Sequence, residues 1–375
     1  MKMYRILVIN LGGTSGKLAV FEDEKCVSDF SFDYSKEETD LSCPAQEEVA
    51  LKVRKIQEYL AGLGMTIDDI DVLAPRFGGM FYGGEGGTFR VEGDLEKNLN
   101  AMYVPDKPVT HATYATMEIV NELQKMAREK KPVLTTDPST VNHVLPEARI
   151  TGQPLFYRRV SFHALNHRAA ARHAAQELGK PYNEVDLIVV HAGGGVSVGA
   201  HCHGRILDVN DSSGDGDGAF STNRAGTLPT GQLVELCYSG KYTRKETMKL
   251  LKGNAGLLAY LGTDDLRVVE KRIEEGDEEA ELIFNALAYQ ICREIGACFA
   301  TLKCHCDGIV LTAGMAHSKR LVEKIKDRVG AIAPLFVFPG GFENEALAFG
   351  ALRVLRGEEE PAVYEGEDKN IQAIM

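Results

Sequence analysis

The order of elements in this chain is spelled out twice, and the repetition limits the fold more than any single segment. "YRILVIN", "KLAVFED" and "CVSDFSFDY" read as three strands between residues 4 and 34, the first two joined by the glycine-rich bend "NLGGTSGK". From residue 185, "VDLIVVHA", "VSVGAHC" and "GRILDVN" repeat that order around a second bend, "HAGGG". Helical patterns and further apolar strands follow each triplet, so the chain predicts two related α/β domains, residues 1–155 and 156–355, facing each other across a cleft. The likeness is topological, without close identity. Bends of this kind expose backbone N–H groups and admit a ligand closely, which suits a phosphate. A plain hairpin with positive φ at Gly12, Gly13 and Gly16 explains the first bend as well. Its spacing matches neither GxxxxGK[ST] nor GxGxxG, so both readings stay open here.

Between the triplets, "PAQEEVALKVRKIQEYLAGLG", "HATYATMEIVNELQKMAREKK" and "HALNHRAAARHAAQELG" predict helices, the second stopped by Pro132. "DDIDVLAP", "PVLTTDP", "DGIVLTAG" and "APLFVFP" predict strands, and loops after such strand ends are where open α/β sheets place ligands. The acidic tail, 356–375, is a solvated end whose docking on the first domain is left open.

A formal charge of −12 argues against nucleic acid as a partner, because phosphate backbones are bound by clustered Lys and Arg. No apolar run approaches a membrane span, and "MKMYRILVINLGG" lacks signal-peptide features, so a cytoplasmic protein without a membrane partner is expected. Cys298, Cys304, His305 and Cys306 cluster in "CFATLKCHCDG", yet no second CxxC pair accompanies them, and reduced cysteines serving as small apolar residues account for the set.

Taken together, the paired glycine bends, "FSTNRAGTLPTGQLVELCYSGKYT", "GLLAYLGTDDLRVVEKRIEEGD" and "AYQICREIGA" resemble the butyrate kinases within the acetate and butyrate kinase family. The resemblance implies an actin-like ATPase fold of the ribonuclease H-like type, with a nucleotide between two α/β domains. It implies reversible, magnesium-dependent transfer of the γ-phosphoryl of ATP to a short fatty acid, giving acyl phosphate and ADP. A small-molecule carboxylate is then the partner, and a homo-oligomer is expected.

By matching family motifs, the resemblance assigns catalysis to Asn10 beside the phosphates, Arg76 in "APRFGG" at the acceptor carboxylate, and His163 in "SFHALNH" and Arg224 in "STNRAGTLP" at the moving phosphoryl. It makes His167 a structural partner, and assigns magnesium to Asp137 in "LTTDP" and Glu343 in "FENEALAFGA", with Glu345 as the alternative. Gly12, Gly13, Thr14, Ser15 and Lys17 form one phosphate turn, and His191, Gly193, Gly194 and Gly195 the other. Asp208 and Asn210 match the segment near the ribose, and Ala313, Gly314 and Met315 the loop beneath adenosine. Chemically the set is coherent: a carboxylate acceptor needs no base, so cations, hydrogen-bond donors and a metal suffice.

Departures from the family pattern gather in the loops. "NLGGTSGK" stands for N-P-G-S-T-S-T-K, placing Gly13 and Gly16 where hydroxyls are usual; "RFGGMF" lengthens R-G-G-L-L; "HATYATM" keeps His111 but loses an asparagine; Ala313 replaces a glycine. Two readings follow: a working carboxylate kinase with an altered acyl pocket, or a nucleotide-binding sensor that has lost efficient transfer.

Overall fold

The computed structural model of the chain describes residues 2–12, 15–34, 44–107, 112–141, 144–158, 160–212 and 216–366. Two compact units emerge, one of residues 1–141 with 342–375, the other of residues 142–341.

In the first unit, β1 (Arg5–Leu11), β2 (Ser15–Glu22) and β3 (Lys25–Asp33) form an antiparallel meander, and β4 (Val72–Pro75) adds parallel to β1. The sheet order is β3-β2-β1-β4. The apolar run of β1 is buried because both faces of the strand are covered. Leu7 and Ile9 share a core with Val53 and Ile56 of the helix Ala45–Gly62 and with Ile119 and Leu123 of the helix Thr116–Met126. The helix Glu343–Arg356 packs on β1, on β4 and on β6 (Leu134–Thr136), which pairs antiparallel with β5 (Thr88–Arg90). Gly350 permits that close approach, since a Cβ there would lie 2.2 Å from Thr136 Oγ1.

In the second unit, β7 (Asp186–Ala192), β8 (Val196–Cys202) and β9 (Arg205–Val209) form the second meander, and β10 (Gly308–Ala313) and β11 (Leu335–Pro339) add in parallel, giving β11-β10-β7-β8-β9. The long helix Glu278–Thr301, capped by the Asp277 side chain on Ala280 N–H, covers one face. Its Phe284, Leu287, Ile291 and Ile295 are buried at helical spacing, each contributing roughly 1.5–3 kcal/mol of apolar burial.

Both units thus carry a central strand that pairs antiparallel with its successor in the chain and parallel on its other side, which is the repeat read from the sequence. The unit limits differ from 155 and 355: the stretch 342–355 lies with the first unit, because its helix buries its apolar face on β1, β4 and β6. The second predicted helix stops at Met126 instead of running to Pro132. Gln124 bonds both the N–H and the carbonyl of Lys131, at 2.8 and 2.7 Å, and folds 127–131 back. Further along, Ala362 N–H donates to Thr88 carbonyl at 2.8 Å, and Tyr364 packs its ring edge against Phe81. Among the described residues no helix is long and apolar enough to cross a membrane.

Candidate active site

The first bend closes on itself, Gly12 N–H donating to Ser15 carbonyl at 2.8 Å. Gly13 and Thr14 lie outside the described residues, as does His111. The positive φ expected at Gly12 and Gly16 for a hairpin turn is not found. Gly16 is a residue of β2, and it is glycine for packing: a Cβ would sit 2.5 Å from the Phe32 ring and 2.8 Å from Leu11. Asn10, next to last in β1, lies opposite Lys17 on β2. Asn10 Oδ1 accepts from Arg76 Nη1 at 3.5 Å, and Asn10 Nδ2 donates to Asn344 Oδ1 at 3.3 Å. Asn344 Nδ2 donates in turn to Asp29 Oδ1 at 3.1 Å. Glu343, the first residue of its helix, faces Lys17 Nζ at 4.0 Å, and its carboxylate opposes the burial that pushes the Arg76 guanidinium below its ordinary range. Asn10, Arg76, Lys17 and Glu343 therefore gather at one end of the first sheet. Asn344 joins them unforeseen; an amide between two glutamates gives no periodic or motif signal. Asp137 follows β6 at φ +41°, and its Oδ1 accepts Gly87 N–H at 2.8 Å.

In the second unit the bend Gly193–Gly195 is closed by Gly193 N–H on Gly195 carbonyl at 3.0 Å. Ser221 Oγ donates to Gly194 carbonyl at 2.6 Å, fastening the loop that carries Arg224 to this bend. A Cβ on Gly195 would fall 2.3 Å from Arg224 Nη1 and 3.2 Å from Ser212 carbonyl, so glycine is required where the guanidinium lies on the backbone. Nε and Nη1 of Arg224 are buried, and neither has a hydrogen-bond partner among the described residues. Burial pushes this guanidinium below its ordinary value, the Asp211 charge acting against it. Lys252, bridged to Arg224 through the backbone, is lowered by burial and by the Arg224 charge.

His163 precedes the helix Ala164–Glu177 and stacks its ring on His191, at 3.7 Å between centroids and 5° between planes. Both imidazoles are held from behind. His163 Nδ1 lies 3.0 Å from Ser197 Oγ and 3.3 Å from Ser212 Oγ. His191 Nδ1 lies 2.7 Å from Asn166 Nδ2, and Thr312 Oγ1 stands 3.4 Å from that same amide nitrogen. His167, one turn after His163, reaches Ser197 Oγ through Nε2 at 2.8 Å and His201 Nε2 through Nδ1 at 3.2 Å. Fully buried, it is pushed down to about 3, so it is neutral at physiological pH. Sequence reasoning missed Ser197, His201, Asn166 and Ser212; the register His191↔Ser197 brings the first of them in, and only strand pairing reveals it.

The remaining positions are used differently. Asp208 is paired with Arg158 at 2.5 Å, and Arg158 also holds Asp217 at 2.8 Å. Asn210 spends its side chain on Val198 N–H at 2.6 Å, Val196 carbonyl at 2.9 Å and Asp217 carbonyl at 3.0 Å. Met315 points into the core, while Gly314 is exposed. Ala313 adopts φ +74°, ψ −170°, a region that costs a side chain strain, and its methyl faces the Gly193 bend. Among the cysteines weighed for metal, Cys298 is buried and burial raises the Cys306 thiol to about 11, while His305 Nδ1 lies 2.9 Å from Asp186 Oδ2.

Known proteins share this arrangement of strands. The acetate kinase of Porphyromonas gingivalis is similar over 94% of this chain and 100% of its own, at 18% identity and a TM-score of 0.75. A propionate kinase from Francisella tularensis is similar over 93% and 99%, at 15% identity and 0.72, and the acetate kinase of Entamoeba histolytica over 94% and 100%, at 14% and 0.75. The fold is accordingly two α/β units of the actin-like ATPase type. A sequence profile of the acetokinase family matches residues 115–332, more than half of the 375. That stretch spans His163, the Gly193 bend, Arg224 and Ala313, and on it the chain belongs to the acetokinase family, a family of carboxylate kinases.

Proposed function

We propose that this protein transfers the γ-phosphoryl group of ATP to the carboxylate of a short-chain fatty acid, with butyrate the acceptor, and that transfer is direct, in line and reversible. The observation that carries the proposal is Arg224: a guanidinium whose buried Nε and Nη1 have no hydrogen-bond partner among the described residues, resting on a bend of three glycines beside two stacked imidazoles. Buried guanidinium nitrogens without a hydrogen-bond partner among the described residues suit an anionic ligand. Phosphoryl transfer spreads negative charge over the moving group, and donors aimed there act mostly in the transition state.

Within this reading Arg224 and the His163 ring hydrogen hold the phosphoryl in flight. Arg76 binds the acceptor carboxylate by its planar fork, and Asn10, already bonded to Arg76 and Asn344, steadies it. The glycine bends and Lys17 receive the nucleotide phosphates. The acceptor is ionised beforehand, so no base is required.

The donor set also suits magnesium, which keeps most of its water and takes one or two carboxylates together with substrate phosphates. Glu343, held only loosely by Lys17 at 4.0 Å, and Asp137, with one oxygen on Gly87, would hold it. When bound, it neutralises phosphate charge.

The test is hydroxylamine trapping of acyl phosphate from purified protein, ATP, magnesium and a carboxylate series from formate to hexanoate. A maximum at butyrate is expected. A maximum elsewhere in the series corrects the acceptor, and no product from any acid while ATP still binds establishes the sensor reading instead.

A further inference from the structure

We infer that Tyr182, His201, His167 and Ser197 form a one-way hydrogen-bond relay that fixes His163 in the tautomer carrying its hydrogen on Nε2. The inference rests on the proposed function for why that hydrogen matters, and on geometry within the second unit for its existence.

The links are continuous. Tyr182 Oη stands 2.8 Å from His201 Nδ1, His201 Nε2 stands 3.2 Å from His167 Nδ1, His167 Nε2 stands 2.8 Å from Ser197 Oγ, and Ser197 Oγ stands 3.0 Å from His163 Nδ1. Every member is buried, and His167, Ser197 and His201 have no exposed surface. Water therefore does not scramble the order of the protons.

A neutral imidazole carries one N–H and one lone pair. Each ring that bonds on both sides must donate in one direction and accept in the other, so His201 and His167 together have only two proton orders, and Ser197 passes the order on by giving its single hydrogen to His163 Nδ1 at 3.0 Å once it has accepted from His167. In one, Tyr182 donates to His201, His201 to His167, His167 to Ser197 and Ser197 to His163 Nδ1. The hydrogen of His163 then sits on Nε2. In the other, every bond is reversed and His163 holds its hydrogen on Nδ1, turned inward. Tyr182 selects between them. A phenol is a far stronger acid than a neutral imidazole N–H, so the bond from phenol O–H to a ring lone pair is the better one.

A shorter path gives His191 the same form. Thr312 Oγ1 donates to Gly340 carbonyl at 3.1 Å, Asn166 Nδ2 faces Thr312 Oγ1 at 3.4 Å, and the same Nδ2 donates to His191 Nδ1 at 2.7 Å. Two stacked imidazoles whose inner nitrogens both accept present Nε2 hydrogens outward. At a 3.7 Å separation two positive rings would repel each other, so the pair offers directed hydrogens in place of two charges. Tyr182, His201, His167 and Ser197 are positioning residues, acting through His163.

Tyr182→Phe is the discriminating variant. It removes one oxygen, keeps the ring that packs under Arg172 at 5.2 Å, and lies three groups away from His163. Long-range proton–nitrogen correlation spectra of histidine-labelled protein, with His163 assigned through His163→Gln, report its tautomer directly. Wild type should show Nε2 protonated and Nδ1 bare, and Tyr182→Phe a mixture of both forms. Turnover should fall about 10-fold with both KM values within about twofold, the size expected when an outer hydrogen-bond partner is lost.

Ser197→Ala supplies the second arm. It cuts the relay but leaves Ser212 Oγ 3.3 Å from the same nitrogen. Adding Tyr182→Phe to it should cost nothing further, because the message no longer arrives. An unchanged tautomer in Tyr182→Phe, or losses that multiply in the double variant, overturns the relay. Should wild type phosphorylate no carboxylate, the proposed function fails, yet the spectra still decide the relay.

Discussion

The two units repeat one strand order but hold their polar residues with different firmness. In the first, the groups gathered near the bend touch at 3.3, 3.5 and 4.0 Å, long contacts that a ligand can replace at little cost. In the second, bonds of 2.6 to 3.0 Å hold the bend, His191, His167 and His163 to their neighbours, and a relay with one longer link, 3.2 Å between His201 and His167, reaches Tyr182. Preorganisation belongs where charge develops, and adaptability where substrates differ. The departures from the family pattern follow the same division: "NLGGTSGK" and "RFGGMF" are altered in the first unit, while "HAGGG" keeps its glycines in the second.

The largest effect that can break this comparison is Arg224→Ala. Turnover should fall by about 10²–10³-fold with nucleotide affinity almost unchanged, since the donor acts mainly in the transition state. A loss confined to KM would remove Arg224 from the rigid, catalytic half. The next effect tests the burial of His167. Its native value of about 3 lies below the unfolded value of about 6.5, so the unfolded chain binds the extra proton between them. The contribution is fully present above about pH 6.5 and is lost as pH falls toward 3, at about 1.4 kcal/mol per pH unit. Urea unfolding at pH 6.5 and 4.5 should show wild type losing about 2 kcal/mol more than His167→Gln, whose amide does not titrate there. Parallel losses in the two proteins would mean that the second unit does not keep this ring neutral.

The sequence carried much of this and withheld a definable remainder. Apolar runs announced β1, β7 and β10 because parallel strands covered on both faces leave no polar alternation to obscure them. Arg76 and Arg224 stood out as charges among glycine, proline and serine, where helical or strand periodicity offers no other use for them. Tyr182 and His201 did not. Each reads as an ordinary surface or strand residue until pairing aligns β7 with β8 and sets the turn Tyr182–Glu184 against them. Asp208 shows the converse: "DVND" looked like a ligand segment, and Arg158, fifty residues earlier, claims its carboxylate. Long-range partners are set by topology, and local spacing does not encode them.

A milder test separates the halves by substrate. Arg76→Ala should raise the KM for the carboxylate about 10-fold and leave turnover within about threefold, the loss expected for one charge-assisted contact to a bound anion. A turnover loss matching that of Arg224→Ala would erase the distinction between a binding half and a catalytic half.

The smallest effect concerns the one place where the firm half departs from its pattern. Ala313 holds φ +74°, ψ −170° while Ala313 N–H and carbonyl both bond Gly340, at 2.8 and 3.1 Å, so the surrounding strands impose the conformation and the residue does not choose it. A side chain in that region costs on the order of 1–3 kcal/mol, and glycine there costs none of it but gives back about 0.5–1 kcal/mol in unfolded-chain entropy. Ala313→Gly should therefore stabilise the protein by about 1 kcal/mol, read as a melting temperature higher by about 2–4 °C. The same change removes a methyl that a Cβ on Gly193 would meet at 3.7 Å, so ATP should bind at least as tightly as before. A lower melting temperature would show that the methyl's packing outweighs the strain, and weaker ATP binding would make Ala313 an adaptation of this bend and not a departure tolerated by it.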